Sequence, residues 1–191
     1  MKYTEANNWI VNKLKNELSR DWSYHNLDHT LQVAKDAETL AIGENCSEYE
    51  KTILKTACLY HDSGFLEGAD EHEEKGAKLV TVKLKEFDYS DKDIELIKNM
   101  ILATKIPQQP KSLLEKIICD ADLYYLGTDE NYNQSNYLRS ELEIRGMKMD
   151  DNQWINFQIG FLEIHKYFTK TAINTLEKKK QNYADELKLS L

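Results

Sequence analysis

The chain has 191 residues, of which 41% are apolar and 30% charged, and its formal net charge is -8. This length and composition are typical of one globular domain with a core of its own. The acidic balance argues against a large nucleic-acid footprint, because phosphate backbones are held by clustered Lys and Arg. No apolar run approaches the length that spans a membrane, so no membrane partner is expected.

The first half of the chain predicts five helices, because its apolar residues recur with the 3.6-residue period of a helix. Ser47 and Glu50 have the spacing of a capping box at the start of the third helix, and Gly64 is placed to end it. Gly43 closes the second helix, which begins near Asp28. The predicted helices cover about residues 9–18, 28–42, 47–64, 71–87 and 91–106.

The second half predicts four more helices after a short extended connection between Pro107 and Pro110. They cover about residues 113–121, 130–144 and 154–168, followed by a last helix that contains Lys178–Lys180. No repeat or break in composition divides the chain. We therefore predict a single all-α domain of about eight to nine helices, with a core of about 24–126 on which helices 129–190 pack. The polar start Met1–Glu5 is unlike a signal peptide, so a cytoplasmic location is expected.

Two histidines and two carboxylates stand at the ends of three predicted helices. His29 begins the second helix, His61 and Asp62 close the third, and Asp122 lies near the end of the sixth. Each histidine, and Asp122, falls on the apolar face of its helix. An unpaired buried carboxylate is costly, and an anion such as Asp62 in a final turn opposes the helix dipole. One divalent cation facing all four groups would remove both objections, which predicts a metal site.

The order H…HD…D resembles that of the HD superfamily of metal-dependent phosphohydrolases, all-helical proteins named for their His-Asp pair. The resemblance covers about His25 to Tyr125, roughly half of the chain. It implies an HD-type helical bundle in which His29, the His61-Asp62 pair and Asp122 hold the metal. The superfamily includes nucleotidases, cyclic-nucleotide phosphodiesterases, alarmone hydrolases, nucleases and a few oxygenases, so the substrate stays open.

His72 tests which branch of the superfamily the chain resembles. With Gly76 and Ala77 it is similar to the His-x-x-x-Gly-Ala segment of branches that hold two metals. Those branches supply another histidine from the next helix, and Ile101–Lys105 contains none. The missing histidine argues against a tightly held second metal and against a di-iron oxygenase. The Glu-Asp pair that alarmone hydrolases carry after their His-Asp is also missing here, since Gly64–Glu67 follows instead.

We expect hydrolysis of a small phosphate ester, such as a nucleotide or related metabolite. The alternatives are a phosphodiesterase or nuclease, and a regulatory domain that binds metal or nucleotide without turnover. Mixed N/O ligands suit Mn, Fe, Co, Ni or Zn, with Mg as a further candidate. One firmly bound ion is expected, and the pattern leaves room for a second at His72. The expected partner is a small phosphorylated substrate, and a homodimer is left open.

Three residues are expected to act on the substrate. Asp62 would bind the metal and also orient the attacking water, while His25 would contact the leaving group or a phosphate oxygen. Lys105 would capture phosphate if the loop before Pro107 rims the site. For His25 and Lys105 the alternative is a solvated surface role.

Five other residues have a simpler interpretation as structural side chains. Asp120 is expected to face away from the metal ligands, because it lies two residues from Asp122 on the same helix. Arg139 has the spacing of an ion pair with Glu143, and His165 lies on an apolar face. Trp154 and Phe161 are predicted to belong to the core and not to a base-stacking platform.

Overall fold

The computed structural model describes all 191 residues, which form nine α-helices and three short 3₁₀ helices. The predicted all-helical class is confirmed. The 3₁₀ helices are Ser63–Glu67, Leu84–Phe87 and Tyr124–Gly127. The α-helices are α1 Tyr3–Glu17, α2 Leu27–Gly43, α3 Glu48–Tyr60, α4 His72–Lys83, α5 Asp91–Ala103, α6 Leu113–Asp122, α7 Asn131–Ile144, α8 Asp151–Ile164 and α9 Lys170–Leu189. No helix is both long and apolar enough to cross a bilayer.

Side-chain caps fix where several helices begin. The Ser47 hydroxyl accepts the N–H of Glu50, whose carboxylate accepts the N–H of Ser47, so the predicted capping box is confirmed. Asn26 caps α2 by accepting the N–H of His29 at 3.0 Å. The cap therefore also sets the position of His29 in the first turn of α2.

The main apolar core is built around α3, which packs between α1, α2, α5 and α6. Its central residues Ile53, Leu54, Ala57 and Cys58 are buried completely or almost completely. A second, smaller cluster joins α8 and α9 to the segment after α6. Its members are Leu123, Leu126, Leu162, Tyr183 and Ala184. The end of α6, where Asp122 lies, therefore borders both clusters.

The third helix is shorter than predicted. It ends at Tyr60, so Asp62 lies two residues beyond it and immediately before the 3₁₀ helix Ser63–Glu67. The expectation that Asp62 occupies a final α-helical turn and opposes its dipole is wrong. Gly64 does not end α3 but allows a close packing contact, because a Cβ there would lie 1.9 Å from the carbonyl oxygen of His72. The chain turns at this contact and brings the start of α4 against the end of α3.

The eighth helix is also shorter than predicted, because it ends at Ile164 and leaves Phe168 outside. The connection to α9 is held by the buried carboxylate of Asp120. This carboxylate accepts the N–H groups of Phe168 and Thr169, both at 2.8 Å, and the Thr169 hydroxyl at 2.7 Å. These hydrogen bonds favour a non-helical backbone at Phe168 and Thr169, where the sequence predicts that the eighth helix continues to Phe168.

Candidate metal centre

Four side chains from three helix ends meet at one point. His29 Nε2 lies 3.1 Å from Asp122 Oδ1 and 3.5 Å from Asp62 Oδ2. His61 Nε2 lies 3.1 Å from Asp62 Oδ2 and 3.5 Å from Asp122 Oδ1. Each imidazole therefore faces both carboxylates, and the predicted set comes together. We call these four residues the HD cluster.

The two imidazole nitrogens of His61 have different surroundings. Its Nδ1–H donates to the carbonyl oxygen of Cys58 at 2.7 Å, which directs Nε2 into the HD cluster. Both His61 Nε2 and Asp62 Oδ2 are buried and have no hydrogen-bond partner. Buried polar atoms normally have partners, and two such atoms 3.1 Å apart are what a shared cation would satisfy.

Charge within the HD cluster shifts the pKa values in opposite directions. Burial lowers the pKa of His61, but the negative charges of Asp62 and Asp122 outweigh this effect and raise it well above its ordinary value. Burial raises the pKa of Asp62, yet the positive charge of His61 holds it far below its usual range. The pKa of Asp122 is lowered in the same way, against burial, by His29 and His61. Both carboxylates are thus ionised and attract positive charge.

The donor atoms fit a divalent transition ion. The ligand atoms of His29, His61 and Asp122 all lie within 4.8 Å of one another, and Asp62 adds a second carboxylate. Two imidazole nitrogens and two carboxylate oxygens suit borderline ions such as Mn, Fe, Co, Ni or Zn better than Ca. Four protein ligands also leave coordination positions for water on a six-coordinate ion.

His72 lies at the edge of the HD cluster. Its Nε2 is 3.8 Å from Asp62 Oδ1 and 3.3 Å from Glu73 Oε1, while its Nδ1–H donates to the carbonyl oxygen of Ala69 at 3.1 Å. Close backbone packing at Gly64 and Gly76 sets this position. A Cβ at Gly76 would lie 3.2 Å from the carbonyl oxygen of His61. The second oxygen of Asp62 therefore points toward His72, where a role as metal ligand stays a prediction.

His25 lies beside the HD cluster, with its ring centroid 6.1 Å from that of His29, and is mostly buried. Its ring stacks on Phe65 with 4.2 Å between centroids and lies 5.8 Å from the His72 ring. Its Nδ1–H donates to Glu141 Oε1 at 2.5 Å. Burial lowers the pKa of His25, but the hydrogen bond to Glu141 and the charge of Asp62 outweigh it and raise the pKa. His25 can therefore carry a positive charge near the HD cluster.

Lys105 is half-exposed, and its ammonium pairs with Glu74 on α4. The structure directs it to that carboxylate, so its predicted part in phosphate capture stays a prediction. Arg139 pairs with Asp151 at 2.8 Å and reaches Glu143 at 3.6 Å. His165 is buried, with its Nδ1 3.4 Å from Lys180 Nζ. Neither of these two residues has a polar contact with the HD cluster.

A large groove opens on the His29 and Asp122 side of the HD cluster, with a volume of about 680 Å³. Its charged walls are acidic, with Asp28, Asp36 and Glu130, and no Lys or Arg lines it. An anionic ester would be repelled from such a groove by Coulomb forces. A divalent cation in the HD cluster offsets the charges of Asp62 and Asp122, so a bound metal would weaken this repulsion.

Glu141 and Phe65 contact the site, but the sequence does not single them out. Glu141 is fully buried and accepts the N–H groups of Tyr24 and His25, both at 3.0 Å. The one signal is its position three residues after Leu138, on the apolar side of α7. Phe65 is buried in a 3₁₀ helix that the apolar periodicity does not predict.

Comparison with known proteins agrees with the family resemblance of the sequence. A profile of the HD domain matches residues 26–125, just over half of the chain. An uncharacterised protein from Clostridium beijerinckii is 30% identical over 102 residues, which are 52% of this chain and 64% of that protein. The match therefore spans less than two thirds of that relative's length.

Two crystal structures share the fold at low sequence identity. A predicted HD superfamily hydrolase from an uncultured Thermotogales bacterium has a TM-score of 0.64 at 20% identity, over 95% of this chain and 88% of that one. Bacillus subtilis YpgQ, crystallised in complex with ADP, has a TM-score of 0.69 at 18% identity, over 100% of this chain and 97% of that one. The helical bundle and the His/Asp cluster are those of an HD-domain protein. The chain belongs to the HD domain family.

Proposed function

We propose that this protein is a metal-dependent phosphohydrolase that cleaves a small phosphate ester, such as a nucleotide or related metabolite. The observation that carries the proposal is the pair of buried, unpartnered atoms His61 Nε2 and Asp62 Oδ2 inside a ring of four ligand atoms. His29, His61, Asp62 and Asp122 would hold one divalent transition ion. Such an ion, when bound, supplies a water of lowered pKa and polarises a phosphoryl oxygen.

The residues of this chain would divide the remaining work. Asp62 uses Oδ2 toward His61, which leaves Oδ1, on the His72 side, to orient the attacking water. His72 Nε2 faces the same space, where it would contact a phosphoryl oxygen or hold a second ion. His25, with its raised pKa, would stabilise negative charge on the phosphate or leaving group. Lys105 would contribute to phosphate capture by breaking its ion pair with Glu74 and binding a phosphate oxygen.

A nucleotide is the favoured substrate for two reasons. The acidic groove of about 680 Å³ beside His29 and Asp122 is large enough for a small metabolite, and a bound metal would attract the phosphate to its edge. YpgQ, which shares the fold at 18% identity, was crystallised with ADP. The net charge of -8 disfavours long nucleic acids as substrates.

The experiment compares p-nitrophenyl phosphate with its bis-ester on metal-depleted protein supplied with Mn, Co, Ni, Zn or Mg. We expect monoester turnover only with a divalent ion, and a loss of at least about a hundredfold in Asp62→Asn. Asp88→Asn, an exposed acid paired with Lys2, is the matched control and should leave turnover unchanged. Turnover of the diester alone would indicate the phosphodiesterase alternative. Metal binding without turnover of either ester would favour the regulatory alternative, and turnover indifferent to Asp62→Asn would contradict the proposal.

A further inference from the structure

An apolar pocket of about 160 Å³ lies next to the HD cluster, between α7, α8, α9 and the segment after α6. Most of its lining side chains are hydrophobic, and Asp122 is the only charged one. Its main walls, which include Leu138, Phe157 and Phe161, lie beyond residues 26–125, the part of the chain that matches the HD profile. The pocket is therefore a feature of this chain's C-terminal helices.

Aromatic rings form one wall of the pocket. Trp154 and Phe157 stack with 5.4 Å between centroids and 19° between ring planes. Trp154 is 3% exposed, whereas Phe157 is 47% exposed, so the pair leads from the protein interior to the mouth of the pocket. Phe161 continues the wall one turn further along α8. Trp154 is buried, as predicted, and its exposed neighbour Phe157 extends the aromatic wall to the mouth of the pocket.

The polar side chains on the opposite wall are already paired with each other. Gln158 Oε1 accepts the hydroxyl of Tyr183 at 2.8 Å and also that of Ser135. Because these two hydroxyls donate to Gln158 and most of the lining side chains are hydrophobic, the pocket presents mainly carbon to a ligand. An anionic group placed there would lose its hydration and gain no cationic partner, because no Lys, Arg or His lines the pocket. The chemistry of the walls therefore fits a neutral, apolar group.

The pocket and the HD cluster share a wall. Asp122 belongs to both, and its side chain is 17% exposed, compared with 7% or less for the other three members. Tyr24 also lines the pocket, and its ring centroid lies 4.7 Å from that of His29. The pocket therefore adjoins the HD cluster, with Asp122 and Tyr24 at the boundary between them.

We propose that this pocket holds a planar aromatic ring of the substrate, so that the substrate class is phosphate esters with an aromatic or heteroaromatic group near the phosphorus. The proposal rests on the proposed phosphohydrolase function and deepens it. Size supports a single ring, since an apolar cavity of about 150 Å³ is sufficient to bind benzene. The stacked wall of Trp154 and Phe157 selects a flat ring over a branched chain.

Binding is measured with two phosphonates that cannot be hydrolysed at the C–P bond, phenylphosphonate and methylphosphonate, by calorimetry on the Mn-loaded protein. Stacking on aromatic side chains is worth enough that phenylphosphonate should bind at least about tenfold more tightly. Phe157→Ala removes the exposed wall and should reduce this preference at least about threefold. Ile164→Ala is the matched control, because Ile164 is 74% exposed on the same helix and does not line the pocket.

The outcomes separate this proposal from the function on which it rests. Equal binding of the two phosphonates, with metal-dependent turnover of phosphate monoesters intact, overturns the ring pocket and leaves the phosphohydrolase standing. A phenyl preference that is unchanged in Phe157→Ala also overturns the pocket. If neither phosphonate binds and no phosphate ester is turned over, the proposed function fails and the inference fails with it. Circular dichroism of each variant shows that the fold is retained.

Discussion

His25 donates its Nδ1–H to Glu141, with 2.5 Å between Nδ1 and Oε1, although the two residues are 116 positions apart. The other carboxylate oxygen of Glu141 accepts the N–H groups of Tyr24 and His25. The buried carboxylate of Glu141 on α7 thus accepts three hydrogen bonds, which hold the loop that precedes α2. This loop carries His25 and leads directly into the turn that presents His29.

We predict that the His25–Glu141 pair stabilises the fold less at high pH and also less at low pH. The pKa of His25 is raised above 6.5, so its contribution is present below that value and is lost as pH rises through the raised pKa. Although burial opposes it, His25 lowers the pKa of Glu141 below 4.5, so this contribution is lost as pH falls through the lowered pKa. Glu141→Gln should reduce the free energy of unfolding by about 1.5–3 kcal/mol near pH 5.5, and by less near pH 9.

Urea denaturation at the two pH values measures this difference. Glu143→Gln provides the control, because Glu143 lies on the same helix, is exposed and pairs only loosely with Arg139. It should change the free energy of unfolding by a few tenths of a kcal/mol at either pH. An equal effect of Glu141→Gln at both pH values would show that the charge of His25 does not contribute.

Gly64 is predicted to be required for the approach of α4 to the HD cluster. A Cβ at this position would lie 1.9 Å from the backbone oxygen of His72, and a backbone atom cannot rotate away. Gly64→Ala should therefore destabilise the fold by at least about 2 kcal/mol, as overpacking does, and weaken activity by moving His72. Gly160→Ala should stabilise by about 0.5–1 kcal/mol, since a Cβ on this helical glycine meets no atom within 4 Å. Thermal unfolding of both variants tests this, and a Gly64→Ala protein as stable as the original would contradict it.

Two acids on α6, two positions apart, should respond to substitution in opposite ways. Asp120 accepts three hydrogen bonds that join α6 to the start of α9, so Asp120→Asn should cost about 1.5–3 kcal/mol of stability and leave metal affinity intact. Asp122→Asn should instead weaken metal binding by at least about tenfold. It should leave the metal-free protein folded, because the change removes one of two neighbouring negative charges. Calorimetric titration with Mn and urea denaturation of both variants distinguish the roles, and loss of metal affinity in Asp120→Asn alone would reverse the assignment.

His165 is expected to make the protein sensitive to acid. Burial, together with the charge of Lys180, lowers the pKa of His165 to about 3. The neutral form is favoured in the folded state, so folding is opposed as pH falls below about 6.5, where the unfolded chain binds a proton. Between pH 6.5 and pH 4, the free energy of unfolding should fall by up to about 3 kcal/mol more in the original protein than in His165→Asn. Parallel loss of stability in both proteins over this range would disprove the assignment.

The helical class and the HD cluster are predictable from sequence because both depend on local periodicity. His29, His61 and Asp122 each fall on the apolar face of a helix, so their convergence follows once the helices pack together. The turn after α3 is less predictable, since it includes a close contact between Gly64 and the backbone of His72, which is distant from α3 in the helical pattern. Glu141 could not be foreseen, because its partners His25 and Tyr24 lie more than a hundred positions away.

The C-terminal aromatic residues show a second limit of sequence periodicity. The pattern through Trp154 and Phe161 correctly predicts an apolar helix face, and both side chains pack against the interior. Periodicity cannot tell a filled core from a core with a pocket, since that difference depends on how α7 and α9 are placed around α8. The position of Phe157 at the mouth of the pocket is therefore visible only in the structure.

Metal content tests the central claim most directly. The protein would be purified after expression with Mn in the medium, and its bound metals counted by inductively coupled plasma mass spectrometry beside His61→Ala and Asp88→Asn. Our account predicts about one divalent transition ion per chain in the original protein and in Asp88→Asn, and almost none in His61→Ala. A chain that binds no divalent ion, or binds it equally well without His61, would contradict the account.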